Sequence, residues 1–215
     1  MKKTLTTLTT LTTLAALMLT MTMATTVTAA DYLTTSETAP TGKDNTLTLF
    51  HDTTLNLVGN NLAVGDDLPS VTLMTNQNQP YDTTAKTDKV RIFSVLASVD
   101  TPVCDQQAQD LSKFVEANPA LTNNIEFIGL SADTTFALDR FKKEKGITDK
   151  LTLLSDAKDH VFGFESGTQI SELGLLARTT FVVDKNNKIV HIQRVPELTM
   201  VPDLNKAVEV AKEHL

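Results

Sequence analysis

The sequence predicts an α/β fold: a central mixed sheet flanked by helices, with a β-hairpin added in front. Three observations carry this. From about residue 89 onward, β-branched apolar runs alternate with segments whose apolar residues recur at helical spacing. Two alternating apolar runs around a turn precede that region. The chain has 215 residues, no Trp, two Tyr and nine Phe, so its core is aliphatic with some Phe, in a chain long enough to bury one without disulfides.

The elements follow in order. Lys2 and Lys3, an uncharged Leu, Ala, Met and Thr stretch from Leu11 to Ala24, and the small residues of "TVTAAD" read as a secretory signal over residues 1–30. The stretch is too short and too rich in Thr for a spanning helix, which needs about 20 apolar residues. Residues 31–45, polar with Pro and Gly, are expected to form a flexible lead-in to a single domain over 46–215. Leu47/Leu49 and Leu55/Leu57, around "HDTT", predict the hairpin. "PSVTLMTNQNQPYDT" predicts a strand, a turn and a short extended piece. "KVRIFSVLAS" reads as a buried central strand. The next helix places Ala108, Leu111, Phe114 and Val115 on one face, and "IEFIGLSAD" is a strand. A further helix carries Phe136, Leu138 and Phe141 and ends at Gly146, before the short strand "LTLLSD". Two strands around "DKNNK" and a last helix with Leu204, Ala207, Val208 and Ala211 close the chain. This order is that of a thioredoxin-like three-layer sandwich, with the first hairpin and the strand at Leu151 to Leu154 as additions.

Charge narrows the function. The formal net charge is -7 and the pI about 5.0, and no basic run is present, which disfavours nucleic acid and anionic membranes. One cysteine excludes an internal disulfide and any multi-cysteine metal site. His51, His160, His191 and His214 are scattered without metal-binding spacing, and His191 is expected on an exposed strand face.

That one cysteine, Cys104, stands in "SVDTPVCDQQ". It is expected just past the carboxyl end of the central strand, in the first turn of a helix. Unpaired N–H groups and the helix dipole there favour a thiolate. Thr101 could turn its hydroxyl back to the sulfur, and Pro102 suits a helix start. Two readings compete: a reactive thiol, or a small buried hydrophobe. The polar run Asp105, Gln106, Gln107 and the position at a strand's carboxyl end favour the first.

"SVDTPVCD" resembles the active-site segment of peroxiredoxins, in particular those of the thiol peroxidase type. "GLSAD", "DRFKKEKGI", "LGLLAR" and the Asp-Lys-Asn-Asn hairpin match in order, so the similarity spans roughly residues 45–215. The resemblance implies that Cys104 is the peroxidatic cysteine and that Thr101 orients the peroxide. Arg178 would hold the thiolate and stabilise the leaving oxygen; read alone, it would be a surface ion pair. The family usually has Pro four residues before the Thr, where this chain has Ala97. The type carries a resolving cysteine after the Arg-Phe of the helix following "SAD", where this chain has Lys142. The implied protein is a one-cysteine hydroperoxide reductase without cofactor or metal. It would be recycled by an external thiol, either a thioredoxin-like protein or a low-molecular-weight thiol, and would work as a homodimer; the signal pattern of residues 1–30 places it in the bacterial periplasm. The alternative is an exported protein of this fold acting as redox sensor or binder.

Overall fold

The computed structural model describes residues 32–215, so the signal expected over 1–30 lies outside the described residues. The strands are β1 Thr34–Thr35, β2 Thr46–Leu49, β3 Thr53–Val58, β4 Thr72–Thr75, β5 Pro80–Asp82 and β6 Val90–Val95, followed by β7 Ile125–Ser131 and β8 Leu151–Ser155. After them come β9 Gln169–Ile170, β10 Thr179–Val183, β11 Ile189–Arg194 and β12 Val201–Pro202. The α-helices are α1 Pro102–Ala117, α2 Thr135–Lys145, α3 Val161–Ser166 and α4 Leu204–Glu213.

Seven strands form one sheet in the order β11-β10-β6-β7-β8-β4-β5. β6, β7 and β8 run parallel, while β10, β11, β4 and β5 pair antiparallel. The sheet is therefore mixed, with β6 near its middle and buried along its whole length. Side chains alternate across the pleat. Val90 and Ile92 of β6 join the core with α1, α2 and α4, whereas Phe93 and Val95 join a second core on the other face with Phe162 of α3. β8, expected as an addition, is an inner strand of this sheet.

The expected N-terminal hairpin forms, with Leu47 opposite Leu55, and Leu47, Leu55 and Leu57 are buried. β9 pairs with β3 through Leu57 and Ile170 and makes this a three-stranded sheet. α2 ends at Gly146, whose φ of 63° provides the left-handed stop. Phe136, expected with Leu138 and Phe141 on the apolar face of α2, is instead 76% exposed. It sits in the first turn, five residues before Phe141, on the solvent side of the helix.

Two expectations need correction. Residues 31–45 are not a loose lead-in over their described part. β1 pairs in parallel with β12, Ala39 N–H donates to the Arg194 carbonyl at 3.0 Å, and Arg194 Nε donates to the Pro40 carbonyl at 2.6 Å. Arg194 is buried, and burial pulls its pKa down to about 10, so the segment supplies the acceptor that this cation needs. His191 is not exposed but half-buried on β11, and burial, aided by Lys206, lowers its pKa.

Candidate active site

Parallel β6 and β7 send the chain out at their carboxyl ends, and the loop after β6 turns into α1. Asp133, after β7, shapes that loop. Its carboxylate accepts from Ser98 Oγ at 2.8 Å, from the Val99 N–H at 2.7 Å and from Ser131 Oγ at 2.7 Å. Ion pairs tie the same region to α2: Asp100 with Arg140, and Asp105 with Lys145 at 2.7 Å.

Thr101 is the N-cap of α1, with Pro102 at the first helical position and Cys104 at the third. The Thr101 hydroxyl makes no capping bond; it donates to the Ser98 carbonyl at 2.9 Å. Asp105 N–H is taken by the Thr101 carbonyl. The N–H groups of Val103 and Cys104 are thus the uncapped donors of the first turn, beside the sulfur. Such donors bind an anion or a developing oxyanion. Cys104 is fully buried, within the core shared by β6, α1 and Ala97.

Arg178, immediately before β10, is only 1% exposed, so it is no surface ion pair. Its Nη1 donates to Gln107 Oε1, and its Nη2 donates to the Leu198 carbonyl at 3.0 Å. Gln107 stands one turn after Cys104 on the buried face of α1. Arg178 therefore reaches the face of α1 that carries the sulfur, and Gln107 is the residue that receives it. Among the described residues no carboxylate pairs with Arg178, and its Nε, also buried, has no protein partner. Held only by neutral groups, the guanidinium keeps its full positive charge.

The structure thus assembles the elements carrying Cys104, Thr101 and Arg178 at one end of the sheet. It adds Ser94, Asp133 and Leu198 as contacts that sequence reading did not assign, and it buries Gln107, which the sequence shows only as part of a polar run. Asp133 could have been suspected, because its motif lies at the end of a parallel strand next to the one feeding Cys104. The contacts of Arg178 with Gln107 and Leu198 have no sequence signal.

The Redoxin family model matches residues 63–208. A thiol peroxidase of Halalkalibacterium halodurans is 38% identical over 77% of this chain and 97% of its own length. One of Bacillus subtilis is 39% identical over 73% of this chain and 90% of its own. Among solved structures, a peroxiredoxin-like protein from Aquifex aeolicus has a TM-score of 0.73 at 29% identity, covering 81% of this chain and 99% of that one. A thiol peroxidase from Chromobacterium violaceum shares the fold at a TM-score of 0.70 and 20% identity, covering 80% and 97%.

Proposed function

Because the chain belongs to the redoxin family, and within it to the thiol peroxidases, we propose that it reduces hydrogen peroxide and organic hydroperoxides through Cys104, with Thr101 and Arg178 as its partners. The observation that carries this reading is a helix-start cysteine one turn from Gln107, on the same buried face of α1, where Gln107 accepts from the buried Arg178 guanidinium.

The thiolate of Cys104 attacks one oxygen of the peroxide. An S–O bond forms, the O–O bond breaks, and the other oxygen leaves as hydroxide or alkoxide and takes up a proton. The first-turn N–H groups and Arg178 stabilise the negative charge that moves from sulfur to the leaving oxygen. The Thr101 hydroxyl, already a donor to the Ser98 carbonyl, can accept from the peroxide and orient it. The product is a sulfenic acid on Cys104. With no second cysteine in the chain, an external thiol condenses with it, releases water and leaves a mixed disulfide. A second thiol then frees Cys104 and departs in a disulfide with the first.

The proposal includes export to the periplasm, supported by the pattern of residues 1–30, and pairing of two copies, for which exposed Phe136 and Leu173 offer apolar surface. Sedimentation of the mature protein tests the pairing, and fractionation of a bacterial host tests the export. The decisive experiment is single-turnover peroxide consumption by the reduced mature protein. One equivalent should disappear orders of magnitude faster than with a free thiol, with loss of thiol titre. Slow oxidation, at the rate of an ordinary cysteine, would overturn the enzyme and leave a sensor or binder.

A further inference from the structure

The second support of Arg178 is a single peptide group in the loop between β11 and β12. Arg178 Nη2 donates to the Leu198 carbonyl at 3.0 Å. The other end of that peptide, the Thr199 N–H, donates to Glu197 Oε1 at 2.9 Å. The peptide is planar and trans, so its C=O and N–H point in opposite directions. Carboxylate, peptide and guanidinium therefore form one chain of hydrogen bonds. A negative charge drawing on the N–H makes the carbonyl at the far end a stronger acceptor. A flipped peptide would set its N–H against a guanidinium that can only donate, and its carbonyl against a carboxylate that can only accept.

Glu197 is itself fixed. It is buried, and its two oxygens accept from the Thr48 hydroxyl, the N–H groups of Phe50, His51 and Thr199, and the Thr199 hydroxyl. The backbone beside it is held as well. Thr48 N–H donates to the Pro196 carbonyl and Leu198 N–H to the Thr48 carbonyl, both at 2.8 Å, and Val201 N–H donates to the Leu33 carbonyl at 2.9 Å. The His51 ring, 3.5 Å from Oε2, lies largely in solvent.

We propose that Glu197 is a positioning residue for Arg178: through the Leu198–Thr199 peptide it fixes and strengthens the carbonyl that holds the guanidinium, without meeting the guanidinium directly. The positive charge is thereby aimed but not cancelled, and stays available to Cys104 and the departing oxygen. This rests on the reading of Cys104 as the attacking sulfur.

The test measures two quantities in reduced mature protein that circular dichroism shows to be folded: the second-order rate of Cys104 oxidation by hydrogen peroxide, and the pH profile of its alkylation by iodoacetamide. Glu197→Gln keeps the shape and removes the charge that draws on the peptide. It should slow oxidation by about tenfold and leave the alkylation profile in place or move it to higher pH. A carboxylate felt only through space has the opposite sign: its removal would speed oxidation and move the profile to lower pH. Glu197→Asp loses the reach to the hairpin but can still accept from the N–H two residues on, as aspartate does in turns, so it should stay within about twofold of the wild-type rate. Thr48→Val removes one bond to Oε2, leaves the Thr199 N–H in place and should do the same. In an Arg178→Met background, Glu197→Gln should cost nothing further, whereas a role in folding alone would add its loss to that of Arg178. Fast oxidation in the wild type, with Glu197→Gln unchanged or faster, would overturn the positioning role and leave the peroxidase standing. An additive loss in the double variant would overturn it too. Slow oxidation of the wild type would remove the underlying reading instead. If Glu197→Gln fails to fold, Glu197→Asp and Thr48→Val decide in its place: a loss of about tenfold in either, with the Thr199 bond retained, would overturn the role.

Discussion

Arg178 spends two of its five donors on neutral oxygens, and that geometry makes lysine a poor substitute. Arg178→Lys keeps a charge but cannot serve both Gln107 and the Leu198 carbonyl in one plane. The expected outcome is a loss of about 10²-fold in the rate of peroxide reaction, the scale seen when one oxyanion donor is removed, with the fold retained. Thr101→Val removes the hydroxyl that faces Ser98 and should slow the reaction about tenfold, whereas Thr101→Ser should be mild. Rapid-quench mass spectrometry reads both. If both variants kept wild-type rates, the roles would be wrong even with a reactive Cys104. At this scale the sequence reveals residue types better than partners. Cys104 is legible because a polar, Pro-containing helix start after an apolar strand is a local pattern. Gln107 is illegible because its partner Arg178 lies 71 positions away and nothing local marks the contact.

The hairpin β2–β3 is the element through which the N-terminal region reaches the site. Glu197 is buried behind its turn and accepts from Thr48 Oγ1 at 2.6 Å, Phe50 N–H at 3.1 Å and His51 N–H at 3.0 Å. It also accepts from the N–H and the hydroxyl of Thr199, at 2.9 and 2.6 Å. Phe50 and His51 both have positive φ, 55° and 63°, so the bonds to Glu197 hold a turn that non-glycine residues adopt at a cost. The next residue, Leu198, donates its N–H to the Thr48 carbonyl and gives its own carbonyl to Arg178. Burial pushes the Glu197 carboxyl up, but the hydrogen bonds outweigh it and hold its pKa at about 2, below its ordinary 4.5. A depressed carboxyl pKa stabilises the fold above 4.5, and that contribution disappears as pH falls from 4.5 towards 2. Glu197→Gln should therefore cost about 3 kcal/mol at neutral pH and flatten the acid limb of stability. Urea titrations from pH 7 to pH 2 check this; a variant with the wild-type acid limb would contradict it. The hairpin itself was legible from its alternating leucines. α3 was not, because six residues are too few for helical periodicity to show. Nor was Gly163 within it, where a Cβ would come within 2.7 Å of Gln169 and Leu176. The docking of residues 32–45 escaped for a related reason: its acceptors serve Gln193 and Arg194, more than 150 positions away.

As a whole, the molecule seals its sulfur. Cys104 has no exposed surface, so a bulky reductant cannot reach a sulfenic acid there unless the first turn of α1 leaves the body. What holds that turn is modest. The ion pair Asp100–Arg140 is about half exposed and Asp105–Lys145 about a third, and pairs open to solvent contribute about 0–1 kcal/mol each. The bonds of Asp133 to Ser98 and Val99 are the firmer tie. Opening the turn is therefore compatible with a stable domain. It exposes the oxidised sulfur to an external thiol, which the chain needs because position 142 is Lys and no other cysteine exists. After one equivalent of peroxide, intact-mass spectrometry should show a single added oxygen on Cys104. Adding a small thiol should convert it to a mixed disulfide, and more thiol should return the reduced mass. Excess peroxide without thiol should add a second oxygen, giving the sulfinic acid. Lys142 pairs with the wholly exposed Asp149, but its own side chain is only 12% exposed, so replacing it also removes packing of its stem. The contact of Asp100 with Arg140 places the start of α1 against α2, two residues before position 142. Lys142→Cys should then close a disulfide with Cys104 when the first turn opens, and this would appear as loss of water from the sulfenic form with no thiol added. Many turnovers by the wild type without any added thiol, or an oxidised form that never accepted one, would refute this scheme of recycling.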